Sequence, residues 1–167
     1  MFKKFPQVQA PLPSAFDPQG FAAGSFEGSN DTRFLLIEAK EYNAIIKGPW
    51  NDDRGTRIRT TEKGQVILDV VYTVDDEPQR QKLNVNALPS VRQSIFLDLT
   101  EQGGLDMGPF KNGALGRLRE ALGLNAAGQK WSFADFIGRP VRIKVGHRAD
   151  KNDPSKVYTD VESVTKL

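Results

Sequence analysis

From residue 34 onward the chain alternates apolar and polar positions in runs that read as strands. Tyr42, Ala44 and Ile46 fall on one side of a first strand, with Asn43 and Lys47 on the other. The clearest strand follows. Val66, Leu68, Val70, Tyr72 and Val74 alternate with Ile67, Asp69, Val71 and Thr73, giving one wholly apolar face and one mixed face. Asp75-Asp76-Glu77-Pro78 reads as a turn into a third strand over residues 80–86, with Leu83 and Val85 inward and Lys82, Asn84 and Asn86 outward. These two strands are expected to pair as a hairpin. After Pro89 a shorter strand is expected around Ile95-Phe96-Leu97-Asp98-Leu99, followed by a Gly-rich loop over residues 101–113.

Helical spacing occurs in few places. Leu115, Leu118 and Leu122 make an apolar stripe while Arg117, Arg119 and Glu120 cover the other side, so the pattern predicts a helix over residues 114–122, capped by Asn112 and ended by Gly123. Ser132-Phe-Ala-Asp135 has capping-box spacing, with Asp where Glu or Gln is usual, and predicts a single helical turn before Gly138. Two strands close the pattern. Val141, Ile143 and Val145 alternate with Arg142 and Lys144 over residues 140–146, and a last strand runs over residues 157–164. Three β elements, a helical insertion and two more strands predict a mainly β fold with one or two short helices: an OB-type five-stranded barrel with elaborated loops, whose helix caps one end. A small β-sandwich is the competing architecture.

Residues 1–30 differ from the rest. Pro6, Pro11, Pro13, Pro18, Gly20, Gly24 and Gly28 interrupt every helix or strand pattern, so a flexible Phe/Pro/Gly-rich arm over residues 1–30 is expected ahead of an OB-type domain at residues 31–167. The arm carries Phe2, Phe5, Phe16, Phe21 and Phe26, which suits docking on this subunit, a neighbour or bases. Self-association through it is one expectation.

Composition narrows the chemistry. With 23 basic against 21 acidic residues the charge is nearly balanced, so a polyanion must be held by a local patch. There are no cysteines, which excludes disulfide scaffolds, thiolate zinc sites and cysteine nucleophiles. No apolar run approaches the roughly 20 residues that span a bilayer, and the opening Met1-Phe-Lys-Lys-Phe-Pro lacks a secretory apolar region. A cytoplasmic location without a membrane partner is expected.

Catalytic patterns are poorly represented. The single histidine, His147, has no carboxylate spaced to orient it, no Gly-x-Ser-x-Gly elbow is present, and Gly103-Gly104-Leu-Asp-Met-Gly108 lacks the lysine of a phosphate-binding loop. Glu38-Ala39-Lys40 has the Glu-x-Lys form of metal-dependent nucleases without the preceding Pro-Asp partner. Asp75, Asp76 and Glu77 are consecutive and converge poorly on one ion. A non-enzymatic protein is expected, with no catalytic residue, no metal and no cofactor.

Basic and aromatic residues are better organised. The turn-rich run at residues 47–64 sets Trp50 among Lys47, Arg54, Arg57, Arg59 and Lys63, with arginines at alternating positions where phosphates would lie and an indole face for a base. Arg142 and Lys144 share an outward strand face, Arg148 follows, and Arg80 and Lys82 fall on the expected third strand. Together they predict one cationic groove around a barrel. Phe96 and Tyr158 point opposite to the apolar sets of their strands and are the other stacking candidates.

Several segments resemble the phage-encoded single-stranded-DNA-binding proteins of OB fold. They are Glu41-Tyr-Asn-Ala-Ile-Ile46, the basic loop and hairpin, Leu115-Gly-Arg-Leu-Arg-Glu-Ala-Leu-Gly123, and Phe136-Ile-Gly-Arg-Pro-Val-Arg-Ile-Lys-Val145 followed by Tyr158-Thr-Asp-Val161. The likeness spans about residues 34–165 and is one of layout. It implies coating of single strands during viral replication or recombination, in the bacterial host cytoplasm. The acidic tail with which functionally related bacterial proteins recruit partners has no counterpart in Ser163-Val-Thr-Lys-Leu167. The expected function is therefore sequence-tolerant binding of single-stranded DNA by Trp50, Phe96, Tyr158 and the arginines and lysines named. A structural component of a phage particle and a metal-dependent nuclease are the alternatives.

Overall fold

The computed structural model describes residues 17–28 and 36–167, in two units that divide between Arg33 and Phe34. In the first unit, α1 (Pro18–Ala23) is a six-residue helix where no element was expected. Pro18 sits in its first turn, where a missing N–H costs nothing, and the Asp17 carboxylate accepts from the N–H groups of Gln19 (3.1 Å) and Gly20 (3.0 Å). The rings of Phe21 and Phe26 lie 4.9 Å apart, and both side chains are exposed. Phe2, Phe5 and Phe16 lie outside the described residues.

The second unit is a mainly β structure built on one antiparallel six-stranded sheet: β1 (Glu41–Ile46), β2 (Arg57–Thr60), β3 (Val66–Val74), β4 (Ser90–Leu97), β5 (Pro140–Ala149) and β6 (Val157–Thr165). Its order is β2-β3-β1-β5-β6, with β4 on the other edge of β3. The central strand is β3. One edge pairs with β4 from Val66↔Leu97 to Thr73↔Ser90; the other pairs first with β2, then with β1 from Tyr72 to Val74. β1 and β2 thus behave as two halves of one interrupted strand. Thr56, fully buried, closes the excursion between them: its N–H reaches the Lys47 carbonyl at 3.0 Å, and its Oγ1 accepts from the Val71 N–H at 3.1 Å. Gly55 has no alternative there, since a Cβ would stand 2.3 Å from the Pro49 carbonyl oxygen.

Two expectations need correction in this region. β2 was hidden in what reads as one long loop, although Arg57, Ile58, Arg59 and Thr60 alternate as a strand requires. The strand expected at residues 80–86 is instead α2 (Glu77–Leu83), so Arg80 and Lys82 are helical. Asp76 caps it by accepting from the Gln79 N–H at 2.9 Å, Pro78 occupies the first turn, and Asn84 ends it in the left-handed region at φ 53°. The hairpin partner of β3 is β4, reached through α2.

The core lies on the inward faces of the strands, where Tyr42, Ile46, Leu68, Val70, Tyr72, Val74, Val141, Ile143 and Val145 are buried with Phe136. α3 (Gly113–Ala121) contributes Leu115 and Leu118 and packs against both β4 and β6. No ladder joins β4 to β6 among the described residues, and a cavity of about 90 Å³ lined by Gln93, Leu118 and Val164 lies beneath α3 at that seam. Asn112 stands at the N-cap of α3 as expected, but its side chain makes no capping bond: its amide bonds the Asp98 backbone and the Asp106 carbonyl instead. The expected capping-box contact at residue 132 forms, the Ser132 N–H donating to the Asp135 carboxylate at 2.7 Å.

Candidate nucleic-acid interface

On the face of β3 turned away from the core, three cross-strand rows can be read from the register. Arg59, Ile67 and Phe96 form the first, Arg57, Asp69 and Ser94 the second, and Val71 with Arg92 the third. Ile67 and Val71 are buried although they point away from the core, whereas Phe96 remains 60% exposed. Asp69 has no exposed side-chain surface. Its carboxylate accepts from Arg59 Nε at 2.6 Å and from Ser94 Oγ at 2.6 Å, and stands 3.8 Å from Arg57 Nε and 3.9 Å from Arg92 Nη1.

Three guanidiniums thus share one buried anion, which leaves the cluster cationic. Burial works to raise the Asp69 carboxyl, but the Arg59 and Ser94 hydrogen bonds and the Arg59 and Arg92 charges outweigh it and hold it below the usual carboxylate range. Arg57 also pairs with Asp53, and its Nε is buried without a hydrogen-bond partner among the described residues. Beside the first row, the β2–β3 turn forms an open concavity of about 510 Å³ lined by Arg59, Lys63 and polar neighbours. A flat exposed ring next to anchored cations is the arrangement that stacks a base and holds its phosphate.

Trp50 is placed differently from the sequence expectation. Its half-buried ring stacks on Phe133, with centroids 5.8 Å apart and an interplanar angle of 5°, and packs against the core. Phe133 meets Trp131 edge-on at 5.1 Å, and Trp131 stacks on Phe136 at 5.7 Å. Arg119 lies over the Trp131 ring at 4.1 Å and donates to the Leu124 carbonyl through two nitrogens. One face of the indole that was expected to receive a base is therefore already occupied by Phe133.

The remaining candidates are dispersed. Arg54 pairs with Asp52 in the loop at 3.3 Å. Arg80 pairs with Glu77 and donates to the Val85 carbonyl, and Lys82 pairs with Glu38. Lys144 pairs with Glu162 at 2.8 Å, Arg148 lies 3.7 Å from Asp160, and Tyr158 stands opposite Arg148 in the β5–β6 register. Arg142 is exposed opposite Asn43, so β1, with Glu41, Asn43 and Ile45 outward, separates the β5 cations from the β2–β4 face. The cations form separate patches and not one groove. Lys40, of the Glu-x-Lys triplet, pairs with Asp76 at 3.0 Å.

Three residues of interest escaped the sequence reading. Arg92 and Asp69 join the site only through strand register, which composition does not reveal. Phe110 is fully exposed at φ 63°, on a loop knotted by Asn112, whose N–H donates to Asp98 Oδ2 at 3.0 Å. Its signal was an aromatic in a Gly-rich polar loop. No helix among the described residues is long and apolar enough to cross a membrane. The sequence matches no protein-family model and none of the curated proteins with which it was compared.

Proposed function

We propose that this protein binds single-stranded DNA with little sequence preference, on the outer face of β2, β3 and β4, and that its six-stranded sheet is an elaborated OB-type barrel in which β1 and β2 are one broken strand. The observation that carries the reading is the exposed Phe96 ring in register with Arg59, beside guanidiniums anchored on a buried carboxylate. A stacked base needs no particular edge, so aromatic contact is sequence-tolerant, while cations follow the backbone. Arg57, Arg59 and Arg92 are the principal phosphate contacts and Phe96 the principal platform. Trp50 acts from behind, by holding the 47–56 excursion on the core. The protein is non-enzymatic.

The test is titration of a dye-labelled dT oligonucleotide, followed by anisotropy, with a salt series and a duplex of equal length. Binding is expected to prefer the single strand and to weaken as salt rises, with a log–log slope of about −0.7 per phosphate neutralised. Absence of binding, or equal affinity for the duplex, overturns the proposal. A parallel sample with magnesium reads cleavage on a gel; loss of the labelled strand there would make the protein a nuclease.

A further inference from the structure

Electrostatics alone would make Asp69 a defect in a face that meets a polyanion, because its charge opposes the ligand. The geometry points to the reverse. We infer that Asp69 is the positioning residue of a preassembled phosphodiester subsite formed by Arg57, Arg59 and Arg92, so that removing its negative charge weakens binding of a single strand. The inference rests on the single-strand reading above and assigns it an internal organiser.

Three observations support it. Asp69 is sealed from solvent and lies at the centre of the cluster, its Oδ2 facing Arg59 at 2.6 Å, Arg57 at 3.8 Å and Arg92 at 3.9 Å. Without the carboxylate, three like charges brought together by strand register would repel and disperse into water. Its hold also leaves donors for a ligand. A guanidinium has five N–H groups, and Asp69 takes only the Nε and one Nη of Arg59, at 2.6 and 3.4 Å; Arg92 lies beyond hydrogen-bond distance of it, as does Arg57, whose Nε is buried and one of whose Nη groups is spent on Asp53. Finally, Ser94 Oγ donates to Asp69 Oδ1 at 2.6 Å, which fixes the carboxylate plane itself. For Arg59 the side-chain freedom that a phosphate would otherwise have to remove is already lost on folding, which is preorganisation in the ordinary sense.

Asp69→Asn keeps the shape and removes the charge. In the anisotropy titration its affinity for the dT oligonucleotide is expected to fall about fivefold, with the salt slope unchanged because the cations remain. In an Arg59→Gln background the same change is expected to cost less than twofold, since Arg59 is the one guanidinium of the three that Asp69 holds by hydrogen bonds, and charge at 3.8–3.9 Å is all that it offers Arg57 and Arg92. A general structural defect would lower the slope and add in both backgrounds. Should Asp69→Asn fail to fold, Ser94→Ala is read in its place, with an expected two- to threefold loss at unchanged slope. Binding as tight as or tighter than wild type, in whichever variant is read, overturns the inference while leaving the single-strand reading intact. Absence of binding by the wild-type protein overturns both.

Discussion

Two places in this protein bring aromatic rings and arginines together, and they are built in opposite directions. In the cluster of Trp50, Phe133, Trp131 and Phe136 every ring has another ring against it, and Arg119 covers Trp131 while spending its donors on the Leu124 carbonyl. On the outer face of β3, Phe96 is open to solvent, and Arg59 and Arg92 keep guanidinium donors beyond those turned to Asp69, while Arg57 is also paired with Asp53. The same residue types thus serve the core in one place and an exterior ligand in the other. What separates them is the direction in which the ring is packed, which local composition does not encode.

The largest effect that would test the contrast is at Phe136, fully buried at the base of the inward cluster. Phe136→Ala is expected to cost about 3–5 kcal/mol of stability in urea unfolding, with the m-value unchanged. Trp50→Ala, in a half-buried ring with one stacked partner, is expected to cost about 2–3 kcal/mol, read as a lower denaturation midpoint. An unchanged midpoint would return Trp50 to the role of a free platform and erase the contrast. At the outward pole, Phe96→Ala is expected to leave stability within about 0.5 kcal/mol while weakening single-strand binding by about 1–2 kcal/mol. Tyr at that position should restore binding and Leu should not, since only a flat π-face stacks; equal rescue by Leu breaks the stacking assignment.

The smallest effect is on pH dependence. Folding holds the Asp69 carboxyl below its unfolded value, so the stability it confers is complete above the unfolded pKa of about 3.9 and is lost as pH falls through the depressed folded value. The facing groups are the guanidiniums of Arg57, Arg59 and Arg92 and the Ser94 hydroxyl, with Asp53 on the far side of Arg57. Thermal melts of wild type and Asp69→Asn should therefore converge as pH is lowered past that range and differ by a constant amount above it. A difference that widens toward acid would contradict the assignment.

How much of this was legible in sequence depended on whether one strand or a pair of strands carried the signal. β1, β3, β5 and β6 showed themselves because Tyr42, Ala44 and Ile46, or Val141, Ile143 and Val145, bury one face of a single strand. α2 did not, because Asp76 and Pro78 serve a turn or a helix start equally well, and Leu83 and Val85 are spaced as a strand would space them. The alternating arginines of β2 and the outward parity of Phe96 were readable. Their meeting was not, since Arg59, Ile67 and Phe96 become neighbours only through two registers, and Asp69 gains its three cations the same way. Trp50 misled because its partner Phe133 is 83 residues away along the chain.

The two edges of β3 have a consequence in time. That strand is bonded along both sides, even at Val71, whose N–H goes to Thr56 and whose carbonyl accepts from Lys47, whereas β4 and β6 face each other across a seam without a ladder. Amides in the middle of β3 can exchange with deuterium only when the whole unit opens, while those at the β4 and β6 edges of the seam need only a small excursion of α3. The molecule should breathe along that line, and the backbone amides of β3 beneath Asp69 and its arginines should be among the last to exchange.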